Sequence, residues 1–185
     1  MKEIPHEISS VADTADLLYS QAAVNKALDR IASEIEERLS DANPLLLCVM
    51  NGGVITTAAL MERLDFPLRL DHVHASRYRG DTSGHEIEWR TYPETDLKDQ
   101  TVLIIDDILD EGVTLAAILD HCRKQGAREV FVAVLVNKQH NRKAPGIRAD
   151  FCGLEVEDRY VFGYGMDYRG YLRNAMGIYA VKESS

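Results

Sequence analysis

The stretch Asp106-Asp107-Ile108-Leu109-Asp110-Glu111-Gly112-Val113-Thr114 sets four carboxylates in six positions, directly ahead of a glycine. One acid is enough to favour a helix N-terminus, so four of them around a turn imply more than a cap. Gly112 lets the main chain approach an anion. The unpaired N–H groups of a helix start, together with its dipole, favour negative charge at that point. Thr114 adds a hydroxyl donor. A phosphate fits this corner, although the G-x-x-x-x-G-K-[ST] pattern of a Walker loop is absent. The carboxylates themselves are hard oxygen ligands of the kind that hold Mg²⁺.

Other elements must position that corner. Thr101–Asp106 reads as a buried strand and Leu115–Gln125 as a helix stopped by Gly126. Upstream, Ser20 can cap a helix through about Leu39, with Val24, Leu28, Ile31, Ile35 and Leu39 on one face. Leu45–Met50 is almost wholly apolar, as expected of a strand covered on both sides. After Asn51-Gly52-Gly53, Val54–Leu64 reads as a helix and Leu68–Tyr78 as a strand. The polar Arg79–His85 segment reads as a mobile loop, with Glu86–Tyr92 returning as a strand in a long hairpin. Glu129–Asn137 supplies a further valine-rich strand. Repeated strand–turn–helix units imply a parallel sheet with right-handed crossovers. Ligands bind such sheets beyond the carboxyl ends of the strands. There Asn51-Gly52-Gly53, the Asp106–Thr114 turn and Lys138 converge.

The 185 residues suit a single domain without repeats or an interdomain linker. A formal charge of −9 argues against gripping nucleic acid through the general surface. Cys48, Cys122 and Cys152 are odd in number and form no C-x-x-C, which suits a reducing compartment, and Cys48 lies in an apolar run. The N-terminus lacks the apolar core of a secretory signal, and no apolar run nears the ~20 residues of a membrane span. The histidines show no zinc spacing. His85-Glu86-Ile87-Glu88-Trp89 begins like a metalloprotease motif but lacks the second histidine.

The nine-residue stretch resembles the phosphoribosyl pyrophosphate signature of type I phosphoribosyltransferases: an apolar strand, two acids, two apolar residues, Asp, any residue, Gly, any residue, Thr. From about Ser20 to Val181 the chain resembles bacterial hypoxanthine-guanine phosphoribosyltransferases. Cys48-Val49-Met50-Asn51-Gly52-Gly53, Arg77-Tyr78, Val136-Asn137-Lys138 and Asp158-Arg159-Tyr160-Val161-Phe162-Gly163-Tyr164-Gly165-Met166-Asp167-Tyr168 carry the likeness. The resemblance implies an α/β fold, a mainly parallel twisted sheet flanked by helices. It also implies a small hood from the chain ends, about 150–183 on the C-terminal side, and a flexible hairpin flap at about 76–90.

It further implies transfer of 5-phosphoribosyl from phosphoribosyl pyrophosphate to hypoxanthine or guanine, giving IMP or GMP and pyrophosphate. The implied setting is purine salvage in the cytoplasm, with Mg²⁺ as cofactor, a homodimer or homotetramer, and neither nucleic acid nor membrane as partner. Asp106 and Asp107 match the pair that meets the ribose hydroxyls, with Asp107 near the metal. Asp110 matches the general base or acid at purine N7. The 5′-phosphate would lie on Asp110, Glu111, Gly112, Val113 and Thr114. Met50-Asn51-Gly52 matches a pyrophosphate loop whose first peptide bond can be cis, and Arg173 matches a basic residue beside pyrophosphate. Lys138 matches the donor to purine O6, a role suited to an ammonium that has donors and no acceptor. Tyr160 matches the stacking aromatic, Val161 a main-chain reader of the purine edge, and Asp167 a second metal-binding acid. Arg159 matches a basic residue near the base, and Arg77 and Tyr78 the flap.

Several positions depart from common relatives: Asn51 where lysine is frequent, Glu111 where threonine is, Arg77 where serine is, and Val113 where a polar or basic residue is. Glu111 would repel phosphate if it faced inward, so it is expected to point out and contribute only its N–H. Two alternatives remain open: a nucleotide-sensing regulator on the same fold, and a xanthine-preferring transferase.

Overall fold

The computed structural model describes residues 5–77 and 87–182. The chain runs through α1 (His6–Thr14), β1 (Asp16–Ser20), α2 (Gln21–Leu39), β2 (Leu45–Val49), α3 (Gly53–Met61), β3 (Arg69–Arg77) and β4 (Ile87–Thr91). It continues through β5 (Thr101–Leu109), α4 (Val113–Lys124), β6 (Glu129–Lys138), β7 (Phe151–Val156), β8 (Val161–Phe162) and β9 (Gly177–Ala180).

Because side chains alternate along a strand, each central strand feeds two cores. In β5, Leu103 and Ile105 point to one face, and Val102 and Ile104 to the other. In β6, Ala133 and Leu135 are set against Val132 and Val134 in the same way. The first face is covered by α2 and α3, through residues such as Leu28, Ile31, Ile35 and Leu60. The second is covered by α4, through Leu115, Ile118 and Cys122. Two covered faces explain why β2 and β5 read as unbroken apolar runs. The sheet order is β4-β3-β2-β5-β6-β7, parallel throughout except for β4, which runs antiparallel to β3.

The chain ends build a second sheet, β1-β9-β8, antiparallel at both pairings. It carries the expected contribution of both ends, although its short strands were not individually anticipated. The Ser20 hydroxyl caps α2 as expected, accepting from the Ala23 N–H at 3.4 Å. The segment Arg79–His85, with Tyr78 and Glu86, lies outside the described residues. On either side of it, Arg77 in β3 pairs with Ile87 in β4.

The extent of β5 bears directly on the site. It does not stop at Asp106 but runs on to Leu109, because β6 continues to pair with it at Asp106↔Val134, Ile108↔Val136 and Leu109↔Asn137. Asp106 and Asp107 are therefore strand residues, and only Asp110–Gly112 form the turn. The helix that follows starts at Val113, two residues earlier than its apolar pattern suggests.

Leu103 is fully buried in the middle of β5. Leu103→Ala is expected to cost about 2–5 kcal/mol. Urea unfolding should show a lowered midpoint with an unchanged slope.

Candidate active site

A cavity of about 910 Å³ opens over the carboxyl ends of β2, β5 and β6. Met50, Asn51 and Gly52 form one wall of it, and the Asp110–Thr114 turn another. Asp106, Asp107 and Lys138 come from the strand ends, and Tyr160, Val161, Asp167 and Arg173 from the C-terminal segment. Arg77 reaches it from the end of β3. Every site residue expected from sequence within the described residues, Arg159 excepted, thus borders one space, and Tyr78 lies outside those residues.

The turn has the geometry its sequence implies. Gly112 has φ +75°, and a Cβ there would lie 2.7 Å from the Leu109 side chain and 2.9 Å from that of Ile147. Only glycine satisfies both constraints. Gly112 is the N-cap of α4, so the amides from Val113 onward begin a helix and lack helical partners. The opposite wall turns at Met50-Asn51, where the peptide bond is cis.

Asp106 and Asp107 sit side by side at the cavity floor. The Asp107 N–H donates to Asp106 Oδ1 at 2.9 Å, and the Ile108 N–H to Asp107 Oδ1 at 2.8 Å. Burial raises the Asp106 carboxyl well above its ordinary range, and the neighbouring Asp107 charge adds to this. Burial also raises Asp107, partly offset by hydrogen bonds from Asp106 and Ile108. The backbone closes tightly around this pair. A Cβ on Gly52 would meet Asp107 Oδ2 at 2.2 Å, and one on Gly165 would meet the Gly52 carbonyl oxygen at 2.3 Å. Arg173 supplies nearby positive charge. Its guanidinium donates to the Gly165 carbonyl and pairs with Asp167 Oδ1, each at 2.6 Å. Asp167 Oδ2 accepts the Gly170 N–H, also at 2.6 Å.

Asp110 forms a second centre. Lys138 Nζ donates to Oδ2 at 2.7 Å, and His140 Nε2 lies 2.7 Å from Oδ1. Partial burial alone would raise this carboxyl, but the hydrogen bonds from Lys138 and His140, with the Lys138 charge, outweigh it and hold Asp110 below its ordinary range. Lys138 itself is 8% exposed. Lys143 Nζ donates to the carbonyls of Leu109, Asp110 and Lys138 at 3.1, 3.1 and 2.8 Å, tying the turn to the strand beside it. Tyr160 is 53% exposed, so it is a cavity-edge aromatic rather than a core one. Its hydroxyl donates to the Asp167 carbonyl at 3.3 Å.

Two sequence expectations are corrected. Glu111 does not turn away with only its N–H on the cavity. The residue borders the space, and its carboxylate is paired with Arg77, itself a cavity residue, with Arg142 Nε 3.9 Å away. The arginine supplies the compensation that makes an inward acid tolerable. Arg159 does not approach the base side of the cavity. It pairs with Asp16 at 2.5 Å and donates to the Val181 carbonyl at 3.0 Å, lining a separate cleft near the chain ends. Its partners come from β1 and beyond β9, which the local sequence does not reveal. Sequence reasoning also missed His140, Lys143, Glu88 and Arg90. The first two lie in a polar run whose only signal was its closeness to Lys138.

Comparisons with known proteins give the family and the fold. The sequence model of the family described as "Phosphoribosyl transferase domain" matches residues 14–169. The hypoxanthine-guanine-xanthine phosphoribosyltransferase of Tritrichomonas foetus is 32% identical over 178 residues, covering 96% of this chain and 97% of that protein. The hypoxanthine-guanine phosphoribosyltransferase of Bacillus subtilis is 32% identical over 171 residues, covering 92% of this chain and 94% of that protein. A solved hypoxanthine-guanine-xanthine phosphoribosyltransferase superposes with a TM-score of 0.81 at 31% identity, covering 91% of this chain and 97% of that one. A Staphylococcus aureus hypoxanthine phosphoribosyltransferase shares the fold, with a TM-score of 0.87 over 97% of each chain.

The raised Asp106 and Asp107 carboxyls mean that the folded state holds protons more tightly than the unfolded chain. Their cost to stability therefore grows as pH rises above the ordinary carboxylate range. Asp106→Asn is expected to raise Tm at neutral pH in Mg²⁺-free buffer. The gain should shrink as pH falls into the carboxylate range. A lower Tm at neutral pH, read by calorimetry, contradicts this account.

Proposed function

The chain belongs to the phosphoribosyltransferase family, and from this premise we propose that it transfers 5-phosphoribosyl from phosphoribosyl pyrophosphate to hypoxanthine or guanine. The products are IMP or GMP and pyrophosphate, and the setting is purine salvage in the cytoplasm. The observation that carries the substrate class is the side-by-side placement of Lys138 Nζ and Asp110 Oδ2, 2.7 Å apart on the cavity wall. A 6-oxopurine presents a carbonyl oxygen next to N7–H. An ammonium can donate to the first and a carboxylate can accept from the second. Adenine presents an amino group where Lys138 offers only donors, so it is disfavoured.

In this reading the 5′-phosphate lies on the first amides of α4 and the Thr114 hydroxyl, and the ribose hydroxyls donate to Asp106 and Asp107. Pyrophosphate lies against the Met50-Asn51-Gly52 main chain, with Arg173 near it. Tyr160 stacks on the base, worth ~1–3 kcal/mol, and the Val161 main chain meets the purine edge. The carboxylates of Asp106, Asp107 and Asp167 are hard oxygen donors bordering one cavity, and they fit a Mg²⁺ ion that also takes substrate oxygens. Mg²⁺, when bound, neutralises charge on the departing pyrophosphate. Within 1–185 this is the work of one domain, with Arg77 bordering the site from the end of β3.

The reaction breaks the C1′–O bond, and the electron pair leaves with pyrophosphate. The N9 lone pair forms the bond to C1′, and the N7 proton passes to Asp110. Asp110 is ionised for this because Lys138 and His140 hold its carboxyl low. The remaining contribution is positioning, which can supply ~7–11 kcal/mol of the barrier reduction.

The test is a transfer assay with phosphoribosyl pyrophosphate and Mg²⁺ against hypoxanthine, guanine, xanthine and adenine. Turnover of the 6-oxopurines and not of adenine is expected, and turnover of none of them ends the reading. Asp110→Asn should lower kcat by about 10²–10⁴-fold with little change in IMP affinity. An unchanged kcat removes Asp110 as the base. Lys138→Ala should weaken hypoxanthine and guanine and erode the discrimination against adenine. Unaltered guanine kinetics place that lysine outside the reaction.

A further inference from the structure

One buried imidazole of the site has entered the chemistry so far only as a neighbour that helps to keep Asp110 ionised. His140 lies two residues beyond Lys138, and its side chain is 3% exposed. Its ring nitrogens have different partners. The Arg142 main-chain N–H donates to Nδ1 at 3.1 Å, so Nδ1 presents its lone pair and the ring hydrogen sits on Nε2. Nε2 in turn lies 2.7 Å from Asp110 Oδ1. The other oxygen of the same carboxylate is held by Lys138.

We infer that His140 is a positioning residue for the Asp110 base, an assignment that rests on the phosphoribosyl-transfer reading above. The terminal torsion of an aspartate is soft and broadly populated. Separate donors on its two oxygens remove that freedom. His140 holds Oδ1 back, and Oδ2 stays beside Lys138, the pair that faces N7 and O6 of a bound purine. When N7 gives its proton to Oδ2, Oδ1 of the resulting carboxylic acid still accepts from Nε2–H. Nδ1 remains engaged by the Arg142 amide, so the imidazole neither takes nor passes on the proton. This separates a positioning role from a relay. Lys143 supports the arrangement by binding the main-chain carbonyls of both Asp110 and Lys138.

Two substitutions divide the two ring contacts between them. His140→Asn ends in an oxygen near the place of Nδ1, so it keeps an acceptor for the Arg142 amide but does not reach Asp110. His140→Gln puts an amide nitrogen near the place of Nε2 and keeps the donor to Asp110, while giving up the Nδ1 acceptor. Steady-state kinetics with hypoxanthine, phosphoribosyl pyrophosphate and Mg²⁺ are measured for both, together with Tm. His140→Asn is expected to lower kcat roughly 10- to 100-fold at an unchanged KM for phosphoribosyl pyrophosphate. His140→Gln should recover most of that loss. A wild-type kcat in His140→Asn overturns the assignment. So does a joint loss of kcat, phosphoribosyl pyrophosphate affinity and Tm in both variants, which marks a merely structural histidine. A wild-type chain inactive on every purine sinks the underlying reading instead, and that control is read before either variant.

Discussion

Two carboxyls held side by side at the end of a strand covered on both faces constrain everything around them. Burial opposes charge at both Asp106 and Asp107, and at Asp106 the charge of its neighbour adds to this. Such a pair persists only when the surroundings force it. Here the continued pairing of β5 with β6 fixes the strand beyond Asp106. Gly52 and Gly165 permit main chain where any side chain would collide with Asp107 or with the Gly52 carbonyl. Arg173, anchored on the Gly165 carbonyl, brings the compensating charge. The site is thus a strained concentration of acid that a hydroxyl-bearing, cation-carrying ligand would relieve.

Around the rest of the cavity, charge is balanced in local pairs. Glu111 is matched by Arg77, Asp167 by Arg173, and Asp110 by Lys138. A protein with a formal charge of −9 can therefore present a surface to an anion without overall repulsion deciding the outcome. Glu111 and Arg77 illustrate the principle. In the sequence each stood out singly against the resembled pattern, and in the fold the two side chains pair with one another. Read singly, Glu111 looks incompatible with a phosphate turn; read with its partner, it is neutralised.

The features legible in the sequence are those set by local pattern. The apolar runs of β2, β5 and β6, the helical face of α2 with its Ser20 cap, and the glycine turn before α4 all emerge from spacing. Boundaries slipped where tertiary pairing overrode that pattern. β5 continues past its acids because β6 pairs with them. The illegible features are contacts between distant segments. Arg159 turns to Asp16, 143 positions away, and not to the cavity. His140 and Lys143 lie in a polar run that suggests solvent, yet one grips the Asp110 carboxylate and the other three carbonyls. β8, only two residues long, exists as a strand because β9 pairs with it.

That last pairing governs when the molecule becomes whole. Val161 and the neighbouring Tyr160 belong to the cavity wall. The strand that carries Val161 leans on β9, and β9 leans on β1 near the opposite end of the chain. A ribosome delivers residues in one direction, and Gly177–Ala180 emerge after every other named element. While the nascent chain is still attached, the six-stranded sheet and its acidic floor can assemble without them. The wall beside the aromatic cannot, so the pocket is completed only after the sheet that floors it has emerged.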